Sequence, residues 1–140
     1  DGPRFVPSDV AEVNGSVVGL HIEDVASGGK LVYAPGVSMI NESLVRSAND
    51  ADCVLIDGTF WTDDEPILMG ITNRTATEMG HIPVDGPNGT LQWLGDLPTK
   101  HRVYVHINNT NPILNEQSEQ AATLKQHGVE VAFDGMQIEL

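Results

Sequence analysis

The 140-residue sequence is short of cysteine, of positive charge and of long apolar runs, and each shortage excludes something. A single cysteine, Cys53, leaves no disulfide within the chain, and its setting, Ala-Asp-Cys-Val-Leu-Ile, is that of a buried core thiol and not of a nucleophile or ligand. With 7 Lys and Arg against 20 Asp and Glu the net charge is -13, which opposes binding to nucleic acid or to an anionic membrane surface through phosphates. No apolar run approaches the ~20 residues of a membrane span, and the first residues lack the charged and apolar regions of a signal peptide, so a soluble chain is expected. There is no Gly-x-Ser-x-Gly turn for a serine nucleophile, and no Gly-x-Gly-x-x-Gly or Walker sequence to cradle phosphates. Asn-x-Ser/Thr occurs at Asn14, Asn41, Asn73, Asn88 and Asn108, a pattern short enough to arise by chance in a chain rich in these residues.

What is present fits one domain, residues 1 to 140, with a modest core. Residues 1 to 15 carry Gly2, Pro3, Pro7 and Gly15 without periodicity and read as an irregular lead-in. Alternation predicts a strand over residues 16 to 23, a turn at 27 to 29 and a hairpin partner over 30 to 34. Asn41 is placed to cap a helix through residue 49, with Leu44, Val45 and Ala48 on one face, before a strand over 53 to 57. Residues 58 to 90 have no clear periodicity, apart from a helical turn or two at 64 to 69 and 72 to 79. Their Phe60, Trp61, Ile67, Leu68 and Met69 are too apolar for a disordered linker, which favours a functional loop. A helix over 90 to 97 sets Leu91, Leu94 and Trp93 against a sheet, and a strand over 103 to 107 follows. Asn115 is then placed to cap a helix over 116 to 127 ended by Gly128, and short strands are expected over 129 to 132 and 137 to 139. Strand, helix, strand alternation predicts an α/β layer with some parallel pairing.

The stretch that organises the chemistry is Val-Tyr-Val-His-Ile-Asn-Asn-Thr-Asn-Pro, residues 103 to 112. Its β-branched half suits a strand, its Asn-rich half a turn, and His106 stands where the two meet. Ligands in open α/β sheets bind beyond the carboxyl ends of strands, which makes His106 the leading candidate. Asp57 and His81 lie at comparable places. A carboxylate and two imidazoles could hold a metal, or Asp57 could fix the tautomer of His81 for proton transfer. His21, His101 and His127 are read as non-functional.

Asp-Gly-Thr-Phe-Trp-Thr-Asp-Asp-Glu (57 to 65), Met-Gly-His (79 to 81), His-Ile-Asn-Asn-Thr-Asn-Pro-Ile-Leu (106 to 114) and Gly-Val-Glu-Val-Ala-Phe-Asp-Gly-Met (128 to 136) closely resemble the coenzyme PQQ synthesis protein B family. Gly-Leu-His-Ile-Glu-Asp and Leu-Val-Tyr-Ala-Pro-Gly, within residues 18 to 37, extend the resemblance over nearly the whole chain. It implies the C-terminal half of a metallo-β-lactamase-like αββα sandwich, a bacterial, cytoplasmic protein, and a role in making pyrroloquinoline quinone (PQQ). The superfamily motif His-x-His-x-Asp-His is absent, so the remaining ligands and the N-terminal half of the fold are expected outside this sequence, and the chain alone is expected to be inactive. His106 matches the superfamily's final metal-binding histidine. Asp57 and His81 match an acidic residue beside the metal and its histidine partner in related tRNA-processing nucleases. Dinuclear relatives carry a bridging aspartate where Pro35-Gly36 stands here, which favours one metal, with Fe(II) and O₂ chemistry suited at least as well as Zn(II) hydrolysis.

The implied reaction is a hydroxylase-like oxidation of a tyrosine-derived, peptide-based PQQ precursor. Asn108, Asn109 and Asn111 would orient substrate or brace the ligand, and Trp61 with Phe60 would wall the pocket. The alternative is a non-catalytic PQQ carrier assisting export. A homodimer is compatible with either.

Overall fold

A computed structural model describes residues 17–140; the expected irregular lead-in over 1 to 15 lies outside them. Strand β1 (Leu20–Glu23) and strand β2 (Lys30–Ala34) form the expected hairpin, pairing antiparallel from Leu20 with Tyr33 to Glu23 with Lys30. Helix α1 (Glu42–Asp50) starts where Asn41 accepts the backbone N–H of Leu44 at 2.9 Å, an N-cap that satisfies one of the first-turn donors. Strand β3 (Cys53–Asp57) then pairs parallel to β2.

The long segment after β3 contains helix α2 (Glu65–Leu68), a 3₁₀ turn (Thr77–Met79) and helix α3 (Leu91–Asp96). Strand β4 (His101–Val105) pairs parallel to β3, from Cys53 with His101 to Asp57 with Val105. It lies two residues earlier than the sequence pattern predicts. The cause is His106, whose φ of 54° takes the backbone into the left-handed region and ends the ladder.

The last helix is also displaced. Pro112 opens a 3₁₀ turn (Pro112–Leu114) that uses Asn115 as its end, so Asn115 cannot begin the helix. Helix α4 (Glu119–Gln126) is capped instead by Ser118, whose Oγ accepts the Ala121 N–H at 3.0 Å. Gly128, at φ 65°, ends it as expected, and a Cβ there would meet the Arg102 guanidinium at 2.6 Å. Strand β5 (Glu130–Val131) adds to β4 in parallel. Residues 137 to 139 form no strand, since no neighbouring strand among the described residues offers them a ladder.

The sheet order is therefore β1-β2-β3-β4-β5, with only β1 antiparallel. The register lines up Ala34, Ile56, Tyr104 and Val131 in one row, and these join Ala48, Leu91, Leu94 and Leu124 from the helices in a single core cluster. Each fully buried large side chain here is worth roughly 1.5–3 kcal/mol. The alternate row, Tyr33, Leu55, Val103 and Glu130, faces the other way. Near the hairpin that face is open: Leu20 is 48% exposed, Ile22 51% and Tyr33 37%.

Candidate metal centre

Asp57 is the last residue of β3, and although only 1% exposed it carries a carboxylate with both oxygens engaged. Oδ1 accepts the backbone N–H of Thr59 at 3.0 Å and its hydroxyl at 2.5 Å. Oδ2 accepts the backbone N–H of Val37 at 3.0 Å and Nδ1–H of His81 at 2.6 Å. These four donors replace the water that burial removes, which is the condition for keeping a carboxylate in the interior. Val37 follows Pro35 and Gly36 directly, so the exit loop of β2 supports Asp57 with a backbone N–H.

His81 comes from the loop after the 3₁₀ turn, and its edge meets the buried Phe60 ring in a T-shaped contact with centroids 6.2 Å apart. His106 stacks on His81 with centroids 5.6 Å apart and planes at 23°. Its Nδ1 lies 2.8 Å from Thr59 Oγ1 and 3.8 Å from Asp57 Oδ1. Asp57, His81 and His106 thus each offer a ligand atom within 4.8 Å of the others. The three sequence candidates for the chemistry come together in one place.

A carboxylate oxygen cannot donate, so His81 presents a proton on Nδ1, and in the neutral ring Nε2 is then bare. With its acceptor positions already filled, Asp57 is suited to orient the histidines, the role a carboxylate commonly plays behind metal-bound imidazole. The His106 side chain is 56% exposed and opens the cluster to the outside. Two grooves among the described residues lie elsewhere: one of about 350 Å³ between β1 and α1, lined by Leu20, Val32 and Leu44, and one of about 470 Å³ beside β5, lined by Leu124, Val131 and Phe133.

The asparagines divide. Asn111 is 2% exposed, and its amide donates to Gly58 O at 2.9 Å and accepts the Ile113 N–H at 3.1 Å, so it braces the loop. Asn108 donates to Thr110 Oγ1, and its own N–H reaches Thr59 O at 3.0 Å. Asn109 is exposed. Trp61 packs half-buried against the core, so the aromatic that touches the cluster is Phe60. His21 is exposed on β1, His101 lies 3.3 Å from Glu130 and His127 bonds Thr123 O, all apart from the cluster. Burial pushes the Cys53 thiol up to about 11, which keeps it protonated and inert.

Two residues that sequence reasoning passed over complete the site. Thr59 links Asp57 to His106. Glu65, 6% exposed, accepts the Trp61 N–H at 2.5 Å and the Thr110 hydroxyl at 2.6 Å, tying the loop after β3 to the loop after β4. The Asp-Gly-Thr sequence at a strand end was the available signal, because Asp accepting from the residue two positions on is a common local turn.

Residues 2–107 match the family model described as the beta-lactamase superfamily domain. The chain belongs to the beta-lactamase superfamily. Within that superfamily it is 49% identical over 138 residues to coenzyme PQQ synthesis protein B of Pseudomonas savastanoi pv. phaseolicola, covering 99% of this chain and 46% of the relative. To the protein of the same name from Azoarcus sp. it is 48% identical over 141 residues, covering all of this chain and 46% of that one. The crystal structure of Zn(2+)-bound PqqB from Methylobacterium extorquens superposes with a TM-score of 0.81 at 40% identity, covering 87% of this chain and 43% of the other. The chain therefore spans about half the length of the curated relatives it matches. Its mixed five-stranded sheet with packed helices matches the α/β fold of that superfamily.

Proposed function

We propose that this chain supplies one wall of a single-metal centre that acts in PQQ biosynthesis, with His106 as a ligand and Asp57 and His81 as the pair that orients it and handles protons. The observation that carries this is the convergence of the three side chains at the ends of β3 and β4. The donor set fits a metal: Nδ1 of His106 is engaged by Thr59, which leaves its Nε2 for ligation, with Asp57 and His81 behind it. Fe(II) held there would supply redox chemistry with O₂, and Zn(II) a Lewis acid. The missing ligands belong to the N-terminal half of the fold, which would cover the open face around Leu20, Ile22 and Tyr33. The chain alone would be inactive.

The reaction favoured is hydroxylation of a tyrosine-derived ring in a peptide-based precursor. One oxygen atom of O₂ enters an aromatic C–H bond and the other leaves as water, with two electrons and two protons from an external reductant of the ascorbate class. In this chain Phe60 shields the His81 ring from one side, and Asn108 with Asn109 would line the approach to the exposed His106. A cytoplasmic setting belongs to the same reading. A PQQ carrier would need cations for three carboxylates, and no Lys or Arg takes part in the hydrogen bonds of the cluster among the described residues.

The test is to load the intact protein with Fe(II) anaerobically, add a Glu- and Tyr-containing peptide with ascorbate, and admit O₂. The peptide should gain oxygen by mass, and His106→Ala should lose both metal and product. Loaded protein that leaves the peptide unchanged would sink the oxidative reading, and unchanged metal content in His106→Ala would sink the ligand assignment.

A further inference from the structure

Thr59 is 7% exposed, and its one hydroxyl lies within hydrogen-bond distance of four atoms: Asp57 Oδ1 at 2.5 Å, His106 Nδ1 at 2.8 Å, His106 O at 2.9 Å and His81 Nδ1 at 3.2 Å. A hydroxyl has one proton to give and two lone pairs with which to accept. The carboxylate is both the nearest acceptor and the charged one, so it takes that proton, since hydrogen bonds to ionised groups are shorter and stronger. Once the proton points at Asp57, a bare Nδ1 on His106 would face an oxygen lone pair at 2.8 Å and a carboxylate oxygen at 3.8 Å. Both contacts would be repulsive. They become attractive only if His106 carries its proton on Nδ1.

From this we infer that Thr59 is a positioning residue that fixes the tautomer of His106, holding Nδ1 protonated and Nε2 free. Asp57 sets the tautomer of His81 directly and that of His106 through the Thr59 hydroxyl, so one buried carboxylate governs both rings. Thr59 also holds the loop beyond His106, since its carbonyl accepts the Asn108 N–H at 3.0 Å. That bond lies next to the one non-glycine residue at positive φ among those described, where a side chain stays only if its surroundings compel it. The inference deepens the metal reading, because a free Nε2 on His106 is what a metal would use. The tautomer itself needs no metal to be observed.

The experiment is nitrogen NMR of the histidine rings in the intact, metal-free protein at pH about 9, above the ordinary histidine range. His106 is assigned by its loss in His106→Gln. In the wild type the His106 ring should show a protonated Nδ1 and a bare Nε2; the opposite tautomer overturns the inference without any Thr59 variant. In Thr59→Val, which keeps shape and removes the hydroxyl, His106 should shift toward the Nε2–H form. Thr59→Ser should restore the wild-type pattern. An unchanged Nδ1–H ring in a folded Thr59→Val also overturns the inference. Zn(II) titration of the same proteins should give affinity about 10–100-fold weaker for Thr59→Val and near wild type for Thr59→Ser. If the tautomers move as stated and the wild type binds no metal, the metal reading fails while the role of Thr59 stands.

Discussion

Asp57 and His81 meet at 2.6 Å through Oδ2 and Nδ1, and the same oxygen holds the backbone of Val37, so ring and strand exit are fastened to one atom. Asp57→Asn keeps the volume but turns one acceptor into a donor facing another donor. Destabilisation of about 3 kcal/mol is expected, because a charged hydrogen bond is lost and a buried N–H is left unpaired. Urea unfolding checks this, and a loss under 1 kcal/mol would mean that the four contacts contribute little.

His106 combines exposure with an unfavourable backbone. His106→Gly relieves a left-handed conformation that costs a residue with a side chain roughly 1–2 kcal/mol, and gives up one hydrogen bond worth about 1 kcal/mol. Stability should therefore change by less than about 1 kcal/mol while bound metal is lost. Thermal unfolding beside metal analysis separates the two effects; a large loss of stability would show that His106 is chiefly structural.

Gly58 follows Asp57 with no room for a side chain. A Cβ there would lie 2.7 Å from Tyr104 Cβ and 3.0 Å from its ring, and Tyr104 is fully buried with its hydroxyl 2.8 Å from Thr90 Oγ1. Gly58→Ala should cost about 1–3 kcal/mol through overpacking. The near-UV signal of Tyr104 should change with it, and a wild-type melting curve would refute the clash.

Cys53 gives a prediction in pH. Burial raises its thiol from 9.0 to about 11, so the fold disfavours the thiolate. The associated stability is complete below pH 9 and is lost as pH rises through 11. The difference in unfolding free energy between wild type and Cys53→Ala should shrink by on the order of 2 kcal/mol between pH 8 and pH 11. A constant difference would show that the thiol titrates normally.

Glu65 joins Trp61 to Thr110, and Glu65→Gln would aim an amide N–H at one of two donors. Hydrogen exchange over residues 106 to 111 should quicken by about 10-fold, the equivalent of roughly 1.4 kcal/mol of local stability. Protection equal to wild type would remove the clamp from the account of the site.

Much of this was legible in the residues. The Asn41 cap, the hairpin from Leu20 to Ala34 and β3 each announce themselves through local chemistry that tertiary packing does not overrule. The site triad was legible because strand ends can be recognised from where β-branched residues give way to turn formers. The failures have one kind of cause. β4 ends early because His106 adopts a backbone that no propensity predicts, and α4 starts late because Pro112 claims Asn115 for another turn. For Asn111 the sequence left substrate contact and bracing equally open, since an amide's partners belong to the folded chain. Thr59 and Glu65 were overlooked for the same reason: their importance lies in what crosses over from residues far along the sequence.

The connection between β3 and β4 is the longest among the described residues, yet the two strands pair in register along their full length. Bringing them together requires closing that whole loop before any pairing can repay it, which makes this junction slow to form. Asp57 and Thr59 lie at one side of it and His106 at the other. The centre is therefore completed late: until the two middle strands meet, His106 stands apart from Asp57, Thr59 and His81, and a metal ion would find its whole site only when they have.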